Sequence, residues 1–192
     1  MINLAILASG NGTNAENIIR HFSANNNINV VVVLSNKQNA YVHQRAENHE
    51  IPSYTFSKYE FDKGNPILRT LKQYKVDFIV LAGFMIKLST PILNEYPNKI
   101  INIHPALLPK FGGKGMYGDH VHKAVVEAGE TQSGITIHYV NEHYDEGQII
   151  FQAKCPVETG QTFEDVAQNV HTLEYQYYPE IIEQTVNKTF NQ

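Results

Sequence analysis

The 192-residue chain has no tryptophan, three methionines and one cysteine, Cys155, and charged residues make up only 18% of it. A lone cysteine excludes an internal disulfide framework and fits a reducing compartment. The 15 lysines and arginines stand scattered against 19 acids, for a formal net charge of −4. Without a basic run, recognition of a nucleic-acid backbone is not expected. No apolar stretch approaches the roughly 20 residues of a membrane span. The opening MINLAILASG lacks the basic start and long apolar core of a secretory signal. These absences predict a cytoplasmic globular protein with small-molecule partners, folded as one domain over residues 1–192.

Short apolar runs and amphipathic stretches are what the chain does contain. INLAILA (2–8), INVVVVLS (28–35), VDFIVLA (76–82) and NKIINIH (98–104) are near-continuous hydrophobic segments, the pattern of strands covered on both faces. Between them, 14–22, 40–49 and 66–74 carry helical spacing, with Pro66 in a favourable first turn. The alternation predicts a doubly wound α/β fold with a mostly parallel sheet. Farther on, 134–140 and 148–157 read as an antiparallel pair added to that sheet, and the glycine-rich 111–120 as a mobile loop. A long helix is expected from Thr162, with Asp165 closing a capping box and Pro179 kinking or breaking it near Tyr178.

Three constellations could carry chemistry. ASGNGTNA (8–15) follows the first strand and opens the first helix, where glycines and free N–H groups favour an anion. No Lys-Ser/Thr pair follows, so it is not a nucleotide triphosphate loop. It matches a dinucleotide fingerprint but lacks the acid expected at the end of the second strand, where LSNKQN stands. Lys37 could meet a 2′-phosphate, which keeps an NADP-binding oxidoreductase open beside a phosphate monoester held by Gly12, Thr13 and Asn14.

NIHPALLP (102–109) places Asn102 and His104 two residues apart at a strand end. They therefore share a face, at the carboxyl edge where open α/β sheets bind ligands. An amide can donate to a developing oxyanion and an imidazole can move protons near neutral pH. The third candidate, Asp145 in YDEGQ, is an ordinary turn acid unless the turn folds back on His104. HVH (120–122) invites a metal, but residues two apart on a helix do not face each other, and no metal is predicted.

SGNGTN, VLAGFM (80–85), NIHPALLP and DEGQIIFQ, in this order and spacing, resemble the folate-dependent phosphoribosylglycinamide formyltransferases over nearly the whole chain. The resemblance implies transfer of formyl from the co-substrate 10-formyltetrahydrofolate to the glycine amine of the ribonucleotide, in purine biosynthesis. It implies Asn102, His104 and Asp145 as the catalytic trio, with Asp145 keeping the imidazolium populated. It implies Gly12, Thr13, Asn14, His171 and Glu174 for the ribonucleotide. Met85, Ile86, Lys87 and Leu88, with Asn102, Val140 and Asp145, would meet the folate. Some relatives carry Arg at the positions of Ile86 and Gly64, for which Lys87 and Lys63 are neighbouring substitutes. The FGGKGMYGD loop is longer than in many relatives. Methionyl-tRNA formyltransferases carry an extra C-terminal domain and formyltetrahydrofolate deformylases an N-terminal one, so both fit 192 residues less well; oligomeric state stays open.

Overall fold

A computed structural model describes residues 1–190. Its first half comprises β1 (Ile2–Leu7), α1 (Thr13–Phe22), β2 (Ile28–Ser35), α2 (Val42–Asn48), β3 (Ser53–Thr55), α3 (Lys58–Lys63), α4 (Asn65–Gln73) and β4 (Phe78–Leu81). The second half adds α5 (Thr90–Glu95), β5 (Ile100–His104), α6 (Asp119–Glu127), β6 (Gln132–Tyr139), β7 (Ile149–Pro156) and α7 (Phe163–Phe190). All seven strands form one sheet in the order β3-β2-β1-β4-β5-β6-β7. The pairs from β3 through β5 are parallel, and β6 and β7 join antiparallel. The chain thus adopts the doubly wound, mostly parallel sheet with an antiparallel addition that its pattern implied.

The apolar runs are continuous because both faces of the strands are covered. In β1, Leu4 and Ile6 pack with Ile18, Ile19 and Phe22 of α1 and with Val166, Val170 and Ile182 of α7. Ala5 and Leu7 point the other way, toward Ile67 and Leu71 of α4 and Ile92 of α5. Each fully buried Leu or Ile contributes roughly 1.5–3 kcal/mol, so truncating Leu7 to alanine would cost about 2–5 kcal/mol. Strand order reverses between β1 and β4, which opens a crevice above the carboxyl ends of β1, β4 and β5. Among the described residues no helix is long and apolar enough to cross a membrane.

The capping box of α7 is present: Thr162 N donates to Asp165 Oδ2 (2.8 Å) and Asp165 N to Thr162 Oγ1 (3.3 Å). The expected break at Pro179 is not; α7 runs through it to Phe190 as one helix. Proline removes the donor that should serve the carbonyl four residues back, on Tyr175. Asn17 of α1 supplies one instead, its Nδ2 donating to Tyr175 O at 2.9 Å. The 111–120 stretch also ends differently than expected, since α6 begins at Asp119.

Candidate active site

A cavity of about 580 Å³ sits above the carboxyl ends of the central strands. At one end is the turn from β1 into α1. Gly12 is left-handed (φ 75°), and a Cβ there would lie 2.5 Å from Val42 Cγ2, so α2 leaves room for glycine only. α2 also braces this turn: Val42 N donates to Gly10 O (3.2 Å), and Arg45 Nε and Nη2 donate to Asn11 O (2.9 Å) and Asn11 Oδ1 (2.8 Å). Arg45 Nη1 is paired with Glu16, leaving its charge engaged inside the protein. Thr13 and Asn14 form the first turn of α1, which has no side-chain cap, so its leading N–H groups face the cavity as anion donors.

α7 crosses behind this loop and presents Glu174, 4% exposed. Glu174 Oε2 accepts from Asn14 Nδ2 (2.9 Å) and from His171 Nδ1 (2.8 Å). The Glu174 hydrogen bond outweighs burial and pushes the His171 pKa up. At the other end, the segment after β4 lines the cavity with Met85, Ile86, Lys87 and Leu88, facing Val140. Ser9 ties the two ends together: its N–H donates to Gly83 O (3.1 Å) and its hydroxyl accepts from Met85 N–H (2.9 Å). Lys87 lies over the Tyr144 ring (5.8 Å), whereas Lys63 lies over Tyr59 (5.4 Å), outside the cavity wall. Lys37 also lies outside, in a separate surface depression beside Asn11 and Arg45.

Between the two ends stands the strand-end pair. Asn102 and His104 share one face of β5, and Asp145 reaches back over them from the β6–β7 turn. That turn depends on Gly147, where a Cβ would fall on the Tyr139 carbonyl. Asp145 itself is left-handed (φ 55°). Its Oδ2 lies 3.6 Å from His104 Nδ1 and accepts from Gly113 N–H at 2.9 Å; its Oδ1 lies 3.6 Å from His138 Nε2. Those two histidine distances are too long for good hydrogen bonds, and each becomes an ion pair only when its ring takes up a proton. Burial alone would raise the Asp145 pKa, but the His138 contact, the His104 charge and the Gly113 N–H together hold it below the usual carboxylate value.

Hydrogen-bond partners assign the tautomers. His104 Nε2 lies 2.8 Å from Phe111 O, and a carbonyl can only accept, so the neutral ring carries its hydrogen on Nε2. Its Nδ1 lone pair then faces Asp145, a pocket waiting for a proton. His138 donates from Nδ1 to Tyr139 O (2.9 Å), which leaves Nε2 to accept from Asn102 Nδ2 (3.2 Å). This fixes the Asn102 amide with one N–H still free.

One expectation is corrected here. Asp145 does push the His104 pKa up, but burial of the ring, 3% exposed, is the larger effect and the net direction is down. The imidazole is neutral at neutral pH until it receives a proton.

The residues singled out for the ribonucleotide, the folate segment and the catalytic trio line this one cavity: Gly12, Thr13 and Asn14; Met85 through Leu88; Asn102 and His104; Val140 and Asp145; His171 and Glu174. Lys37 and Lys63 do not. His138 was not singled out, although antiparallel register sets it directly opposite Asn102. His120 and His122 project differently, one exposed and one buried. Among the described residues no group of three or more His, Cys, Asp or Glu could hold a metal ion.

Comparison with known proteins shows the family. A family model described as formyl transferase matches residues 2–182. The chloroplastic phosphoribosylglycinamide formyltransferase of Arabidopsis thaliana is 38% identical over 93% of this chain, which spans 63% of that relative's length. The phosphoribosylglycinamide formyltransferase of Bacillus subtilis is 36% identical, with 96% of this chain and 94% of the relative covered. The crystal structure of phosphoribosylglycinamide formyltransferase from Bacillus halodurans superposes with a TM-score of 0.89 at 34% identity, covering 98% of this chain and 97% of the other. The chain belongs to the formyl transferase family.

Proposed function

We propose that this protein transfers the formyl group of 10-formyltetrahydrofolate to the glycine amine of phosphoribosylglycinamide, a step of purine biosynthesis. The observation that carries this reading is the placement of Asn102, His104 and Asp145 midway along one cavity. At one end of it is an anion-ready helix start with a buried carboxylate; at the other is an apolar segment. A ribonucleotide would set its phosphate against Gly12, Thr13 and Asn14 and its sugar hydroxyls against Glu174. The pterin of the folate would lie along Met85 to Leu88 and Val140, with Lys87 at the mouth for its glutamate tail.

The reacting groups then meet at the strand end. The amine lone pair attacks the formyl carbon, and the carbonyl becomes an oxyanion. The free N–H of Asn102 stabilises that oxyanion, an interaction worth far more in the transition state than in the ground state. The neutral imidazole of His104 takes the proton that the amine must lose. The resulting imidazolium is held against Asp145, whose carboxylate is already charged. The carbon–N10 bond breaks, and the proton passes to N10, directly or through a water, releasing tetrahydrofolate and the formylated amide. No step calls on a metal.

The test is a spectrophotometric assay of tetrahydrofolate release with both substrates. Turnover that requires the ribonucleotide is the expected result. Equal loss of formyl with and without it would mean a hydrolase, and a thermal shift with NADPH in place of turnover would mean an oxidoreductase.

A further inference from the structure

His122 has no part in the chemistry above, yet its setting is unusual. It lies on the buried face of α6 with Val121 and Val125, is 1% exposed, and lines the cavity. Its Nδ1 has no hydrogen-bond partner among the described residues. A buried polar atom left unpaired costs about 1–3 kcal/mol, which an apolar residue of similar volume would avoid. Four side-chain atoms among the described residues are in this condition, on Asn14, Ser89, His122 and Ser133. Of these, only Asn14 and His122 belong to the cavity wall. A side chain left unpaired on a cavity wall can find its partner in a bound ligand.

The position of His122 says which part of the ligand. Its ring lies 6.2 Å from that of His171, centroid to centroid, and His171 in turn holds Glu174. Glu174, His171 and His104 line the same cavity as His122. His122 therefore shares one wall with the carboxylate proposed for the sugar and the imidazole proposed for the amine, one ring away from the His171–Glu174 pair. A phosphoribosylglycinamide bound by both must lay its glycinamide arm along this stretch. We propose that His122 holds that arm, its ring N–H donating to the amide carbonyl, so that the amine is carried to the formyl carbon in register. This rests on the formyl-transfer reading and extends it to a contact that sets substrate specificity. Burial first, and the neighbouring His171 second, hold the His122 pKa down. A neutral ring with one donor suits a neutral amide and does not suit a phosphate.

The experiment compares wild type with His122→Leu and His122→Phe. It measures kcat and KM for the ribonucleotide, Tm, and the inhibition constant of ribose 5-phosphate, which has the phosphate and sugar but no arm. Loss of one neutral hydrogen bond should raise the ribonucleotide KM about tenfold in both variants, with kcat within a few-fold. Inhibition by ribose 5-phosphate should not change. His122→Leu should keep or raise Tm, because it removes an unpaired buried group. An unchanged ribonucleotide KM overturns the proposal, as does a parallel loss of ribose 5-phosphate binding, which would place His122 on the sugar. Should the leucine variant not fold, the phenylalanine variant, which keeps a ring but has no donor, decides on the same terms. Wild-type protein without turnover would overturn the formyl-transfer reading and this proposal with it; normal turnover with an unchanged variant KM overturns this proposal alone.

Discussion

Asp145→Asn isolates the charge of the candidate site from its shape. Asparagine tolerates the left-handed backbone at this position (φ 55°), and its carbonyl can still accept from Gly113 N–H. What is lost is the negative charge 3.6 Å from His104 Nδ1. Two full charges at that distance attract by about 4–5 kcal/mol at an effective dielectric constant near 20, which sets a ceiling of roughly 10³ on the rate effect. The asparagine dipole keeps part of this, so kcat should fall about 10²–10³-fold, with smaller changes in either KM. The pH profile adds an independent readout. Asp145 is one of the influences raising the His104 pKa against burial, so its removal lowers that pKa further. Because the reaction begins with a neutral imidazole, the acid limb of kcat should move to lower pH, and the ring protons of His104 should titrate in step by NMR. A kcat within a few-fold of wild type, with His104 titrating as before, would refute the coupling and return Asp145 to being a turn residue.

Two further outcomes are expected. Thr13→Asp should raise the KM for the ribonucleotide tenfold or more while leaving the folate KM unchanged, since it puts a carboxylate where the phosphate must sit. An acid in the first turn of a helix is favourable by about 0.3–1 kcal/mol, so Tm should not fall; Gly12→Asp would be a poorer test, because any Cβ there meets Val42. The second outcome is acid sensitivity: His104 and His122 both have pKa values depressed below 6.5. Below that value the unfolded chain binds protons that the folded chain does not, so stability should decline as pH falls from about 6.5 through the folded values. His122→Leu should flatten this dependence in urea unfolding measured at several pH values, and an unaltered slope would contradict it.

The parallel core was legible because strands buried on both faces have no polar alternation, which separates them from the amphipathic helices around them. β3 and α3 were not, being three and six residues long, too short for periodicity. The Ser57–Glu60 capping box was the available signal for α3. The uninterrupted passage of α7 through Pro179 was beyond reach of local rules, because the compensating donor, Asn17, lies 158 positions before the Tyr175 carbonyl that it serves. Asn102 and His104 could be paired from the two-residue period of a strand, and their strand end from Pro105. Asp145 could not be joined to them until the β6–β7 turn was seen to fold back. The direction of the His104 shift was missed for a related reason: the sequence names the nearby carboxylate but not the degree of burial that outweighs it.

The central claim is that Asn102 and His104 serve one transition state, the first by stabilising the oxyanion and the second by moving the proton. Single-turnover rates of formyl transfer for Asn102→Ala, His104→Ala and the double variant test it most directly. Loss of an oxyanion donor costs on the order of 10²–10³ in rate, and residues acting as a unit are strongly non-additive. Each single variant should therefore remain folded, bind both substrates and lose activity on that scale, and the double variant should fall far short of the product of the two losses. Near-normal turnover in either single variant, or losses that simply multiply, would contradict the account.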